Sequence, residues 1–229
     1  ALSAPTAEGR LYEVDMRLRP SGRQGPVATS WASYTAYQRS EAWGWEHMAL
    51  TRARAIAGNQ SLCDDIDAFR EVLLQEVGDP EKARRDVATM WVKLDQAAPA
   101  RSVWDVKAGP GGLRSLELFA QGAALGAGLT ARTPRAQLAA ARELGWVDDA
   151  ALQDLCAAER LFWQIVAAER LLQDGPFSPQ AVGQGGVAYL CRATGHDSLE
   201  ALETRLEGTY MRVSEILGKV LKPDGDPDG

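Results

Sequence analysis

The stretch Asp148–Leu172, DDAALQDLCAAERLFWQIVAAERLL, decides the fold. Its apolar residues fall at Leu152, Leu155, Cys156, Leu161, Phe162, Ile165, Val166 and Leu172. That is the i, i+3, i+4 spacing of a long helix with one buried face. The acidic pair Asp148-Asp149 supplies a cap and a first-turn charge that favour a start there. Gly175 to Pro179 breaks the pattern, a short helix carries Val187, Tyr189 and Leu190, and Ser198 caps a final amphipathic helix holding Leu199, Leu202, Leu206, Met211, Ile216 and Leu217.

The same periodicity extends upstream. Thr133-Pro134 opens a helix that ends at Gly145. Another starts near Leu113 and carries Glu117, after a loop anchored by Trp104. Asp79-Pro80-Glu81 is a cap, a first-turn proline and an early acid. The helix it starts runs towards Gln96, with Val87, Met90, Trp91 and Leu94 as the expected buried stripe. A helix over Gln60–Val77 carries Leu62, Ile66, Phe69 and Leu73. One over Glu41–Ala57 ends at Gly58-Asn59, and Ser30 caps one through Tyr34 and Tyr37. The chain is therefore expected to be mainly α, a bundle of about eight helical segments.

One stretch breaks the helical rule. In Gly9–Pro20, GRLYEVDMRLRP, the residues alternate in period two: Tyr12, Val14, Met16 and Leu18 on one side, Glu13, Asp15, Arg17 and Arg19 on the other. This predicts a β-strand with an apolar face and a charged face. Asp15 beside Arg17 is a pairing that can hold a metal ion and a polyphosphate. The same spacing also fits an amphipathic edge strand with solvated charges. The resulting division is a strand-bearing piece over 1–29, a helical bundle over 30–222 and an acidic, turn-rich tail over 223–229, expected to be disordered.

The 229 residues carry a net charge of −6, which argues against general nucleic-acid binding. No apolar run approaches the roughly 20 residues a bilayer span needs, and no signal peptide is legible. Cys63, Cys156 and Cys191 fit neither a disulfide framework nor a zinc site. They read as buried reduced thiols of a cytoplasmic protein. The missing initiator Met and the strand at the start read as an excised piece of a longer protein.

Two further stretches carry chemistry. In Glu41–Arg54, EAWGWEHMALTRAR, a helix places Trp43, His47, Leu50 and Arg54 on one stripe and Glu41, Trp45, Met48 and Arg52 on another, so both sides are expected to be packed. Glu46, Arg52 and Arg54 then either form structural ion pairs or face a cleft, where an arginine reaches a phosphate. His47 reads as a satisfied interior histidine. In Asp105–Glu117, DVKAGPGGLRSLE, a Gly-rich loop with Lys107 runs into a helix start. It is either an anion-binding turn or a structural one.

Together LYEVDMRLRPSGRQGP, YQRSEAWGWEHMALTRAR and WDVKAGPGGLRSLE, in this order, resemble the glutamate–ammonia-ligase (glutamine synthetase) adenylyltransferases, which are polymerase-β-like nucleotidyltransferases. The wording of the second stretch is closest to their C-terminal, AMP-attaching half, and the end near Gly229 fits a natural C-terminus. The resemblance is specific over about Leu11 to Glu117. It implies that the strand is a remnant of the catalytic domain and that Asp15 is the third metal-binding carboxylate. Arg17 and Arg19 then face the triphosphate or the site rim, and Lys107 and Glu117 border the site from the helical side. Ser115 stands where the family usually has an acid.

The family's first two carboxylates sit in a Gly-Ser-Asp-x-Asp-like segment that this sequence lacks. The resemblance therefore implies Mg²⁺ and ATP in the intact enzyme, stable binding of neither here, and no AMP transfer by this chain alone. It implies glutamine synthetase and a PII signal protein as partners. The strand, severed from its sheet, is expected to be disordered, to fold against the helices, or to pair with a second copy. Two other readings stay open: a helical docking module for glutamine synthetase or PII, and part of a PII uridylyltransferase.

Overall fold

The computed structural model describes residues 6, 7, 9, 25–97, 102–175 and 177–222. Among them are nine helices: α1 Trp31–Ser40, α2 Gly44–Leu50, α3 Gln60–Val77, α4 Pro80–Ala97, α5 Leu113–Gly126, α6 Pro134–Glu143, α7 Asp149–Leu172, α8 Pro179–Thr194 and α9 Leu199–Leu221. The described residues contain no strand, only an isolated bridge between Thr6 and Gly9. The strand expected over Tyr12–Leu18 lies outside the described residues, as does the tail 223–229.

The helix starts follow their capping chemistry. The Asp148 side chain accepts from Ala151 N at 2.7 Å, Ser198 from Ala201 N at 3.1 Å, Asp79 from Lys82 N at 2.9 Å and Ser30 from Ser33 N at 3.2 Å. Each such cap contributes about 1 kcal/mol.

Helix α5 is the hub. It packs on α2, α3, α4, α6 and α7, and Leu116, Phe119, Ala123 and Ala124 are shut off from solvent. Its small residues permit close approach. A Cβ on Gly122 would stand 2.1 Å from Cγ2 of Val87 on α4. Helix α7 adds Leu155, Phe162, Ile165 and Val166, and α9 adds Leu202, Leu206 and Leu217, to one continuous core.

Five expectations change. The helix expected over Glu41–Ala57 is only α2, seven residues long. It stops because the Thr51 hydroxyl donates to Met48 O at 2.6 Å, and because Arg70 of α3 takes the carbonyls of Leu50 and Thr51. The tryptophans of that stretch are not packed on both sides: Trp43 is 70% and Trp45 40% exposed, since Trp43 is the N-cap outside the helix. Met211, expected in the buried stripe of α9, is 69% exposed. Helix α8 is longer than expected and kinks at Gly183, whose φ is +63°. Of the three free cysteines only Cys191 is buried; Cys63 and Cys156 are half-buried.

Candidate functional site

A cavity of about 600 Å³ lies among α1, α2 and α3. Thr29, just before α1, is on its rim, with Tyr34, Glu46, Arg52, Arg54 and Arg70 also lining it. Its outer wall is an aromatic cluster. Trp31 meets Tyr34 with centroids 5.9 Å apart and Phe69 at 5.4 Å, and the Arg39 guanidinium lies 5.0 Å from the Phe69 centroid.

Helix α2 is fixed from both ends. Glu46 accepts from Tyr37 Oη at 2.9 Å and from the Trp43 backbone N–H at 2.9 Å, so it ties α1 to the start of α2. His47 is buried, with Nε2 2.9 Å from Gln38 O, an interior partner. Beyond α2 the chain 51–55 is held by its carbonyls. Arg70 donates to Leu50 O at 2.6 Å, to Thr51 O and to Thr130 O at 3.0 Å. Arg132 donates to Ala53 O at 2.8 Å and to Asp67 Oδ1 at 2.8 Å. The Gln137 amide reaches Thr51 Oγ1 at 3.2 Å. Burial and the neighbouring Arg132 charge both lower the Arg70 pKa, with Asp67 opposing them.

This framework aims two arginines. Arg52 pairs with Glu117 of α5 at 2.9 Å, which brings together residues 65 positions apart. Arg54 lines the cavity, is exposed, and makes no ion pair with a described residue. A second acid stands near the Arg52–Glu117 pair: Glu159 of α7, whose pKa is raised by burial and by the Glu117 charge. Ser115, where the resemblance led us to expect an acid, is 5% exposed and faces the core.

Lys107 lies elsewhere. It is half-buried, and its charge acts on Glu169 of α7. Glu169 is pushed up to about 7 by burial, opposed by Lys107 and reinforced by Asp105. Tyr210 of α9 donates to Val103 O at 2.8 Å, and burial raises its phenol. The Gly-rich loop here is turned in on itself. Leu113 N donates to Val106 O at 2.8 Å and Arg114 N to Lys107 O at 3.3 Å. A Cβ on Gly111 would stand 2.3 Å from Tyr210 O. These N–H groups at the start of α5 therefore bond their own loop, and the glycines serve close packing on α9.

Asp15, Arg17 and Arg19 lie outside the described residues. Of the other sequence candidates, the structure joins Arg52 to Glu117 and sets Glu46 and Arg54 on the same cavity, while Lys107 belongs to the Asp105–Glu169–Tyr210 cluster. Among the described residues no three metal-ligating side chains come together. Sequence reasoning missed Arg70 and Arg132. The legible signal was Arg70 itself, a charge within the apolar stripe Ile66, Phe69, Leu73, Leu74, where a buried cation needs acceptors.

Comparison with known proteins now bears on this geometry. The family model for glutamate-ammonia ligase adenylyltransferase matches residues 1–68, and that for GlnD PII-uridylyltransferase matches residues 93–221, over half of the chain. These matches set the class: both families are named for transferring a nucleotidyl group. Three proteins named bifunctional glutamine synthetase adenylyltransferase/adenylyl-removing enzyme are similar over nearly its whole length. Those of Rhizobium meliloti and Mesorhizobium japonicum are 42% and 41% identical over 97% of the chain. That of Agrobacterium fabrum is 41% identical over 98%. The chain belongs to the glutamine synthetase adenylyltransferase family. It spans 23% of the length of each of these relatives. No helix among the described residues is long and apolar enough to cross a membrane.

Proposed function

We propose that this chain is the helical part, with an adjoining piece of the catalytic domain over 1–29, of an enzyme that moves AMP from ATP to a tyrosine of glutamine synthetase. The supporting observation is the cavity at α1–α3. It is lined by Thr29, ten residues after Arg19 in the sequence, and by Arg54, which has no described acidic partner. A guanidinium in that position suits a phosphate of the nucleotide. The Arg52–Glu117 pair braces the cavity against α5.

In this reading Asp15 is one carboxylate of the metal site, with Arg17 and Arg19 on the triphosphate. The described residues offer no ligand cluster for Mg²⁺, so no step through the metal is derived from them. Arg54 orients the nucleotide and neutralises charge, while Arg52, Glu117 and the Arg70-held carbonyls fix the 51–55 segment. The Gly-Ser-Asp-x-Asp segment is not in this sequence, so the chain by itself transfers no AMP.

The test is transfer of labelled AMP to glutamine synthetase with ATP and Mg²⁺. The chain alone gives none. In the full-length enzyme Asp15→Asn lowers transfer by about 100-fold or more, and Arg54→Gln raises KM for ATP, as expected when one transition-state or phosphate contact is removed. Transfer by the isolated chain, or full activity in Asp15→Asn, refutes the reading.

A second reading draws on the match of 93–221 to the PII-uridylyltransferase model: α5–α9 dock glutamine synthetase or a PII-type protein. Retention of either partner by this chain in a pull-down, without any transfer, supports it.

A further inference from the structure

A cavity of about 490 Å³ opens among α6, α7, the α8–α9 turn and α9. Three guanidiniums line it from three helices: Arg135 in α6, Arg160 in α7 and Arg205 in α9. His196 adds an imidazole whose Nδ1 is buried and has no hydrogen-bond partner. No Asp or Glu lines this cavity, whereas Glu46 and Asp67 line the α1–α3 cavity and Glu207 and Glu215 line the groove beside α9. In a chain of net charge −6 that exclusion of acids is a local feature against the overall composition.

None of the three arginines forms an ion pair with a described carboxylate, although nine other pairs do form. Glu159 of α7 interacts electrostatically with Arg135 and Arg160 as well as with Glu117 and Arg52, but does not line the cavity. Cys156 also lines the cavity, and burial raises its thiol against the opposing charge of Arg135. Mutually repelling cations left unpaired on a shared concavity cost stability unless an anion completes them.

We propose that this cavity binds the phosphoryl group of a small phosphate-bearing molecule. Three guanidiniums approaching from three helices match a tetrahedral oxyanion better than a planar carboxylate, which offers only two oxygens. His196 gives one more donor when its Nδ1 carries the proton. Leu152, Leu161 and Ala157 form an apolar wall for the rest of the ligand, and the volume suits a molecule of nucleotide size or smaller. The site is separate from the one proposed for AMP transfer. Glu159 connects them electrostatically, since its carboxyl senses Arg135 and Arg160 as well as Glu117 and Arg52.

The test is calorimetric titration of the full chain with inorganic phosphate, pyrophosphate, AMP and a four-carbon dicarboxylate. Saturable one-to-one binding of pyrophosphate or AMP, with the dicarboxylate weaker, is expected. Arg160→Gln and Arg205→Gln each weaken it roughly tenfold or more, which is about 1.4 kcal/mol, while the exposed Arg114→Gln leaves it unchanged. All three side chains are exposed, so the variants keep the helical circular dichroism, and Arg205→Lys serves if one does not. Three results overturn the proposal: no saturable binding of any phosphate at millimolar concentration, equal loss in Arg114→Gln, or a dicarboxylate that binds more tightly.

Discussion

Replacing Arg70 by Met tests the framework that holds the 51–55 segment. Arg70 is 3% exposed and donates to three carbonyls, those of Leu50 at 2.6 Å, Thr51, and Thr130 at 3.0 Å. Met fills much of the volume and removes the cost of burying a cation, which offsets part of the loss. The Leu50 carbonyl keeps the Ala53 N–H at 3.1 Å, whereas the Thr130 carbonyl loses its described side-chain donor. Thr51 O keeps only the Gln137 amide at 3.4 Å. At about 1–3 kcal/mol for the one acceptor left without its donor, and less for the two that keep a partner, the net loss is about 1–3 kcal/mol. That is a large part of the ~5–15 kcal/mol by which a domain is stable.

The assay is urea unfolding at neutral pH with a fixed m-value. The control is Arg39→Met, which breaks only the half-exposed pair with Glu76 at 3.5 Å and a cation–π contact with Phe69. It should cost about 1 kcal/mol or less. If Arg70→Met costs no more than Arg39→Met, the carbonyl clamp is not what holds α2 to α3 and α6.

Two further outcomes follow from the loop 102–112 and its neighbours. Glu169 titrates near 7 in the fold against 4.5 as a free side chain. The folded state therefore holds the extra proton between those values. Its contribution is present at low pH and is lost as pH rises through about 7. At 1.36 kcal/mol per pH unit the ceiling is about 3 kcal/mol, which solvent screening of a half-buried group reduces to about 1–2. Glu169→Gln should flatten that fall in a pH series of thermal melts and raise stability at pH 8; an unchanged slope sinks the idea. Gly111→Ala places a Cβ 2.3 Å from Tyr210 O at a φ of +72°. It should cost about 2–4 kcal/mol from strain and lost docking on α9, whereas a melt within 1 °C of the parent contradicts the close packing.

Elements with strong punctuation were legible. Ser30, Asp79, Thr133, Asp148 and Ser198 each sit one residue before a helix, with Pro80 and Pro134 as first helical residues. The 41–57 stretch was not, because its helix is ended by side chains from elsewhere. No local pattern announces that Arg70, 20 residues on, takes the Leu50 carbonyl. The candidate residues divided on the same ground. Spacing offered Glu46, Arg52 and Arg54 as cleft or ion-pair residues, and the family resemblance set Lys107 and Glu117 at the border of the site. Packing sent Arg52 to Glu117 and Lys107 towards Glu169.

The sequence by itself determined the helical class, the family and most helix starts, because periodicity, caps and motif wording act over a few residues. Only the tertiary structure decided which charges meet. It set Arg70 under the 51–55 carbonyls and gathered Arg135, Arg160 and Arg205 around one acid-free cavity. Those encounters depend on how α5, α6, α7 and α9 cross, and a side chain's partner across 20 to 70 residues is fixed by packing that no local pattern encodes.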